Sequence, residues 1–139
     1  MSQQKVMIFG TFDIFHEGHK DFIKQAKKYG DELFIIVARD KTVQDVKGSL
    51  PRNNEQQRLK EIKKYFPKNK ITLGSLSNKY QIIQKLKPDV ICLGYDQKSF
   101  TEDLRKRLNE LELINTKIIR LKSYQPEIYK SSKFLKRQV

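Results

Sequence analysis

Cysteine, tryptophan, proline and glycine are all scarce in this chain of 139 residues: one, none, four and six. A lone Cys92 cannot close an internal disulfide, so a disulfide scaffold is excluded and a reducing, intracellular setting is expected. Collagen-like and low-complexity classes fall away with so little Gly and Pro. No apolar run approaches the roughly 18 residues of a membrane span. No signal-peptide pattern opens the chain, so no membrane association and a cytoplasmic location are expected. The length suits one domain, residues 1–139, large enough to bury a core without metal or disulfide.

Positive charge is what the sequence has in excess, with a formal net charge of +13. Its distribution is uneven. Residues 1–40 hold six Lys/Arg and six Asp/Glu, so residues 41–139 carry the whole surplus. A basic excess fits an anionic partner or a solvated lysine-rich surface. Single-strand nucleic-acid binders interleave aromatics with basic residues on a sheet face. Here the basic residues fall mostly in expected helices, so nucleic acid is not the expected partner.

Apolar runs at 5–10, 33–38, 71–73, 90–93 and 117–121 read as strands. Helical spacing appears at 17–29, 54–66, 79–87 and 101–113, with a basic helix expected over 130–138. Strands alternating with helices predict an α/β fold: a Rossmann-like, doubly wound, five-stranded parallel sheet flanked by helices, in a single domain. Ligands of such sheets bind beyond the carboxyl ends of the strands, where strand order reverses.

The first strand runs into Gly10-Thr-Phe-Asp-Ile-Phe-His16-Glu-Gly-His19. Gly10 lets a ligand approach the backbone where a side chain would clash. A helix opening at Glu17 or Gly18 presents free N–H groups and a positive dipole end, an anion site. His16 stands just before that helix and His19 in its first turn. At this i, i+3 spacing both imidazoles can point at one anion and stabilise charge that grows during phosphoryl or nucleotidyl transfer. The chain's two His both fall here. Incidental loop residues or half a zinc site are the competing readings; zinc needs further ligands, and the one Cys lies inside an expected strand.

This segment closely resembles the signature of the cytidylyltransferase-like nucleotidyltransferases, and the resemblance covers nearly the whole chain. Val37-Ala-Arg-Asp-Lys-Thr-Val43, Lys47-Gly48, Glu55-Gln-Gln-Arg58, Leu93-Gly-Tyr-Asp-Gln97 and Tyr129-Lys-Ser-Ser-Lys133 make it most similar to the archaeal-type FAD synthases within that family. Glycerol-3-phosphate cytidylyltransferases carry Gly-Asp-Asp-Trp where this chain has Gly94-Tyr-Asp-Gln97, and Arg-Thr-x-Gly-Ile-Ser-Thr-Thr where it has Gln125–Ser132.

The resemblance implies transfer of AMP from ATP to FMN, giving FAD and pyrophosphate. The alternative is a cytidylyltransferase using CTP with glycerol 3-phosphate or another small phosphorylated alcohol. It implies catalytic roles for His16, His19 and Lys47, the last neutralising the leaving pyrophosphate. It implies nucleotide contacts from Gly10, Thr11, Phe12, Glu17, Gly18, Arg58, Gly94 and Asp96. Ser131 and Ser132 would present donors to a phosphate or cap a helix, and Tyr124 would stack on a ring. Ile14, Phe15, Phe100 and Tyr124 are candidates for a flavin slot and equally for core. Mg²⁺ is expected to bridge the triphosphate, with no dedicated protein metal site. A homodimer is left open.

Overall fold

The chain is described from a computed structural model over residues 4–76, 78–95, 97 and 103–123. The helix expected over 130–138 lies outside the described residues, as do Asp96, Phe100, Tyr124, Ser131 and Ser132. In chain order the elements are β1 (Lys5–Gly10), α1 (Glu17–Lys27), β2 (Glu32–Val37), α2 (Asp40–Lys47), α3 (Glu55–Tyr65), β3 (Lys70–Leu73), α4 (Tyr80–Leu86), β4 (Val90–Leu93), α5 (Leu104–Glu110) and β5 (Lys117–Arg120).

The strands form one sheet in the order β3-β2-β1-β4-β5. Every pairing is parallel. The chain winds outward from β1 to β3, returns across β1, and winds outward again through β4 and β5. Alternate strand residues explain why both faces must be covered. Val6, Ile8, Leu33, Ile35, Val37 and Cys92 pack with Ile23, Ala26 and Ile62 of α1 and α3. Met7, Phe34, Ile36, Ile91 and Leu93 pack with Ile83, Leu104 and Leu108 of α4 and α5. With no solvated face, β1, β2 and β4 are apolar nearly throughout, as buried parallel strands are. Ile8 and Ile35 are fully buried, and truncating either to Ala costs about 2–5 kcal/mol. Cys92 is core too, and burial pushes its thiol up to about 12, so it is inert at neutral pH.

Helix α2 is the element the sequence pattern did not announce. It buries one residue, Val43, and so has no apolar stripe to read. Its end is nevertheless written in the chain: Gly48 caps it at φ 83°, a left-handed conformation that favours glycine. Helix α3 opens with a capping box in which the Asn54 side chain accepts from Gln57 N and the Gln57 side chain accepts from Asn54 N. Among the described residues, no helix is long and apolar enough to cross a membrane.

Candidate active site

The loop from β1 to α1 is held in a conformation it would not adopt alone. Phe12 and Ile14 sit at φ 55° and 50°, and a left-handed conformation at a non-glycine residue costs on the order of 1–3 kcal/mol. Three sets of contacts hold the loop. The Phe12 ring is buried under Gly10, where an added Cβ would come within 2.7 Å of it. The Asp13 carboxylate accepts from Arg52 N at 2.7 Å and Asn53 N at 3.0 Å. Arg58 donates to the Thr11 carbonyl at 2.7 Å. Gly10 therefore has a packing reason in the Phe12 ring, beside the ligand approach expected from the sequence.

Arg58 also differs from its sequence reading. It is 1% exposed, and its other two guanidinium contacts are to Asn53 O at 3.0 Å and the Asp40 carboxylate at 2.7 Å. A side chain closed off in this way braces the corner and does not reach a phosphate. Asp40 itself is half of a reciprocal arrangement. Its carboxylate accepts from Glu55 N, while the Glu55 carboxylate accepts from Asp40 N and pairs with Arg39 at 3.0 Å. Each acid sits at the positive end of the other's helix, so α2 and α3 are locked together at their N-termini.

The two histidines are set by the helix start. His16 is the N-cap of α1, and its Nδ1 accepts from Gly18 N at 3.0 Å. The Nδ1 of His19 accepts from His16 N at 3.2 Å, closing a capping box made of two imidazoles. With both Nδ1 atoms used as acceptors, the ring proton of each sits on Nε2. Neither Nε2 has a protein partner among the described residues. The rings stack at 3.9 Å between centroids and 21° between planes.

Their surroundings keep them neutral. Phe15 stacks on His19 at 5.5 Å and Phe12 meets it edge-on at 5.6 Å. Burial chiefly, then His16, push the His19 pKa down to about 3, with Lys47 acting in the same direction and Asp13 opposing. Burial lowers His16 as well, partly offset by Glu17. Two neutral rings with Nε2–H outward are hydrogen-bond donors of fixed direction, suited to an oxygen that gains negative charge. Phe15, a candidate for a flavin slot or for core, is wedged between His19, Tyr65 and Phe66 and supports the imidazole.

The other expected residues divide. Glu17 is exposed and paired with Lys20, and Gly18 lies in the first turn of α1. Lys47 is an exposed residue in the last turn of α2, close enough to His19 to act on its charge. Gly94 follows β4 with both peptide groups engaged: its N–H by Gln97 Oε1, its carbonyl by Arg120. No role for Gln97 or Arg120 was legible, because each works through the backbone of residues distant in sequence. Gln25 was missed for the same reason: it makes two bonds to the Lys122 backbone, ninety-seven residues away, and pins the exit of β5.

Fold and corner together define a nucleotidyltransferase. The chain belongs to the cytidylyltransferase-like family, whose model matches residues 7–137. It is 42% identical to an FAD synthase of Archaeoglobus profundus, over 97% of this chain and 86% of that one. An FAD synthase of Pyrococcus horikoshii is 40% identical, over 96% and 90%. Among solved structures, one from Thermoplasma volcanium, described as a lipopolysaccharide core biosynthesis protein, superposes with a TM-score of 0.81. That match has 38% identity and covers 89% of this chain and all of the other.

Proposed function

We propose that this chain is an FMN adenylyltransferase, making FAD and pyrophosphate from ATP and FMN. The reading within the family rests on curated relatives near 40% identity over almost the full chain, all FAD synthases. The chemistry rests on the histidine corner. A phosphate oxygen of FMN attacks the α-phosphorus of ATP in line, a P–O bond forms, and the bond to the bridging oxygen of pyrophosphate breaks. No protein nucleophile is required; positioning and charge stabilisation do the work. The Nε2–H groups of His16 and His19 donate to oxygens of the α-phosphate, where charge shifts during transfer. The positive end of the α1 dipole favours the same anionic group, although the amides of Gly18 and His19 are already spent on the cap. Lys47 approaches from α2 and neutralises the departing pyrophosphate.

Mg²⁺ enters as part of the ATP substrate, bound by phosphate oxygens and water. Among the described residues no group of three or more His, Cys, Asp or Glu is arranged to hold a metal. A single domain, residues 1–139, carries the whole reaction in this reading. A cytoplasmic setting goes with it, consistent with the lone buried thiol.

The test pairs ATP or CTP with FMN or glycerol 3-phosphate and follows FAD and pyrophosphate. FAD from ATP and FMN alone is the expected result. Pyrophosphate released only with CTP and glycerol 3-phosphate overturns the reading.

A further inference from the structure

The sheet opens between its two halves. β1 stays paired with β2 as far as Gly10 and Val37, and β4 with β5 as far as Leu93 and Arg120. Between β1 and β4 the register ends earlier, at Ile8 and Cys92. One side chain spans the gap. Gln97 Nε2 donates to Phe9 O at 2.8 Å, and Gln97 Oε1 accepts from Gly94 N at 2.7 Å. The carboxamide thus supplies the donor and acceptor that a continuing ladder would have offered to the two parting strands.

The same turn is held from behind. Gln97 N donates to Gly94 O at 3.1 Å. Arg120, on edge strand β5, directs Nη1 at Gly94 O and Gln97 O, at 2.7 and 2.9 Å. The main-chain groups of Gly94 and Gln97 are therefore all committed to one geometry before any ligand arrives.

We propose that Gln97, backed by Arg120, is the positioning residue for the nucleoside half of ATP. It presets the wall that β4 offers to the crevice, and it acts on nucleotide affinity and not on the chemical step. The inference rests on the adenylyl-transfer reading above. Strand order reverses between β1 and β4, and in such sheets the ligand lies in that crevice. The histidine corner, on the loop after β1, takes the α-phosphate. Lys47 comes from α2, which follows β2, so the pyrophosphate extends to that side of β1. The nucleoside then lies on the opposite side, along the turn after β4. A turn fixed in advance spares the ordering cost that a loose one would impose on binding.

The experiment uses the full chain and three variants: Gln97→Met, Gln97→Glu and Arg120→Met. Gln97→Met keeps the length and removes both bonds. Gln97→Glu sets a carboxylate against the Phe9 carbonyl. Arg120 is exposed, so its replacement leaves the core intact. KM and kcat are measured for ATP and for FMN, with a thermal melt beside them. The expected result is a KM for ATP raised about tenfold, a kcat within about threefold of wild type, and an unchanged KM for FMN. A KM for ATP within about twofold of wild type overturns the proposal, as does a KM for FMN rising in step. Should the Gln97 variants fail to fold, Arg120→Met decides by the same criteria. A wild-type chain that makes no FAD overturns the adenylyl reading instead. ATP titrated calorimetrically against the same proteins then judges the wall separately: weaker binding by the variants supports it, and equal binding overturns it.

Discussion

Replacing His16 by Asn separates two duties that the ring performs at once. Its Nδ1 caps α1 by accepting from Gly18 N at 3.0 Å, and its Nε2–H is the proposed donor to the α-phosphate. His16→Ala removes both. Loss of an N-cap costs about 0.5–2 kcal/mol, which for a domain of this size lowers Tm by about 3–5 °C per kcal/mol. Asn is among the best N-caps, and its Oδ1 can take the same N–H, so His16→Asn should melt near wild type. With Oδ1 on the cap, its Nδ2–H₂ falls near the position of the ring's Cδ2, short of Nε2, so it places no donor where Nε2–H stands. Loss of one donor of this kind costs on the order of 10²–10³ in kcat. The assay is a thermal melt beside FAD formation at saturating ATP and FMN. Both variants should lose activity alike, and only Ala should lose stability. An Asn variant turning over within about tenfold of wild type would refute the donor role. An Asn variant no more stable than Ala would refute the cap.

The buried brace should behave differently from the corner it supports. Arg58→Met leaves Thr11 O, Asn53 O and the Asp40 carboxylate without their guanidinium, so urea unfolding should show a loss of about 3–5 kcal/mol; a loss below about 1 kcal/mol would contradict that account. Lys47 is exposed, so Lys47→Gln should leave the melt unchanged while kcat falls at least about tenfold; an unchanged kcat would remove it from the site. Stability should also depend on pH through the histidines. His19 is neutral in the fold, its pKa pushed down to about 3, whereas in the unfolded chain it protonates near 6.5. The unfolded state therefore binds more protons between those values. The contribution of the neutral ring is complete above about pH 6.5 and is lost as pH falls below it, by up to about 1.4 kcal/mol per pH unit. Urea midpoints of wild type and His19→Asn at about pH 7.5 and about pH 5 measure this. The advantage of wild type must shrink toward acid, and a constant difference would refute the reasoning.

What was legible in the sequence is what local physics decides. β1, β2 and β4 are covered on both faces, so their apolar runs could be read without knowing their neighbours. The histidine corner proposed as the site lies within ten residues of one loop, and the spacing of His16 and His19 across a helix start carries its geometry. Residues acting across the fold were another matter. Arg58 reads as one more cation on a lysine-rich helix. Its burial and its bond to a carbonyl forty-seven residues away exist only once α3 packs beside the β1 loop. Gln97 reads as the last residue of a family-like segment, and its partner Phe9 O is eighty-eight residues distant. The reciprocal pairing of Asp40 and Glu55 likewise requires two helix starts to meet. Helix α2 was hidden for the opposite reason: it buries too little for any pattern to form.

In the proposed reaction the corner and the charge surplus would divide the work between approach and chemistry. A pair of imidazolium ions would attract ATP in its ground state as strongly as in the transition state, and uniform binding does not raise kcat. Neutral donors avoid this. Packed by Phe12 and Phe15 and fixed through Nδ1 to the backbone, they gain most when charge grows on the oxygen before them. The net surplus of positive charge lies within residues 41–139, outside the neutral segment that carries the corner. Beyond about 8 Å, exposed charges are largely screened at physiological ionic strength. Most of the lysines can therefore influence only how two polyanionic substrates arrive. Lys47 is the exception because α2 carries it to within electrostatic reach of His19. It lies on the C-terminal turn of its helix, where the dipole favours a cation, and outside the aromatic packing, where an ammonium keeps its water. Neutral donors in the corner with an exposed ammonium beside them would fit a reaction whose charged product, pyrophosphate, must be stabilised as it leaves and then released.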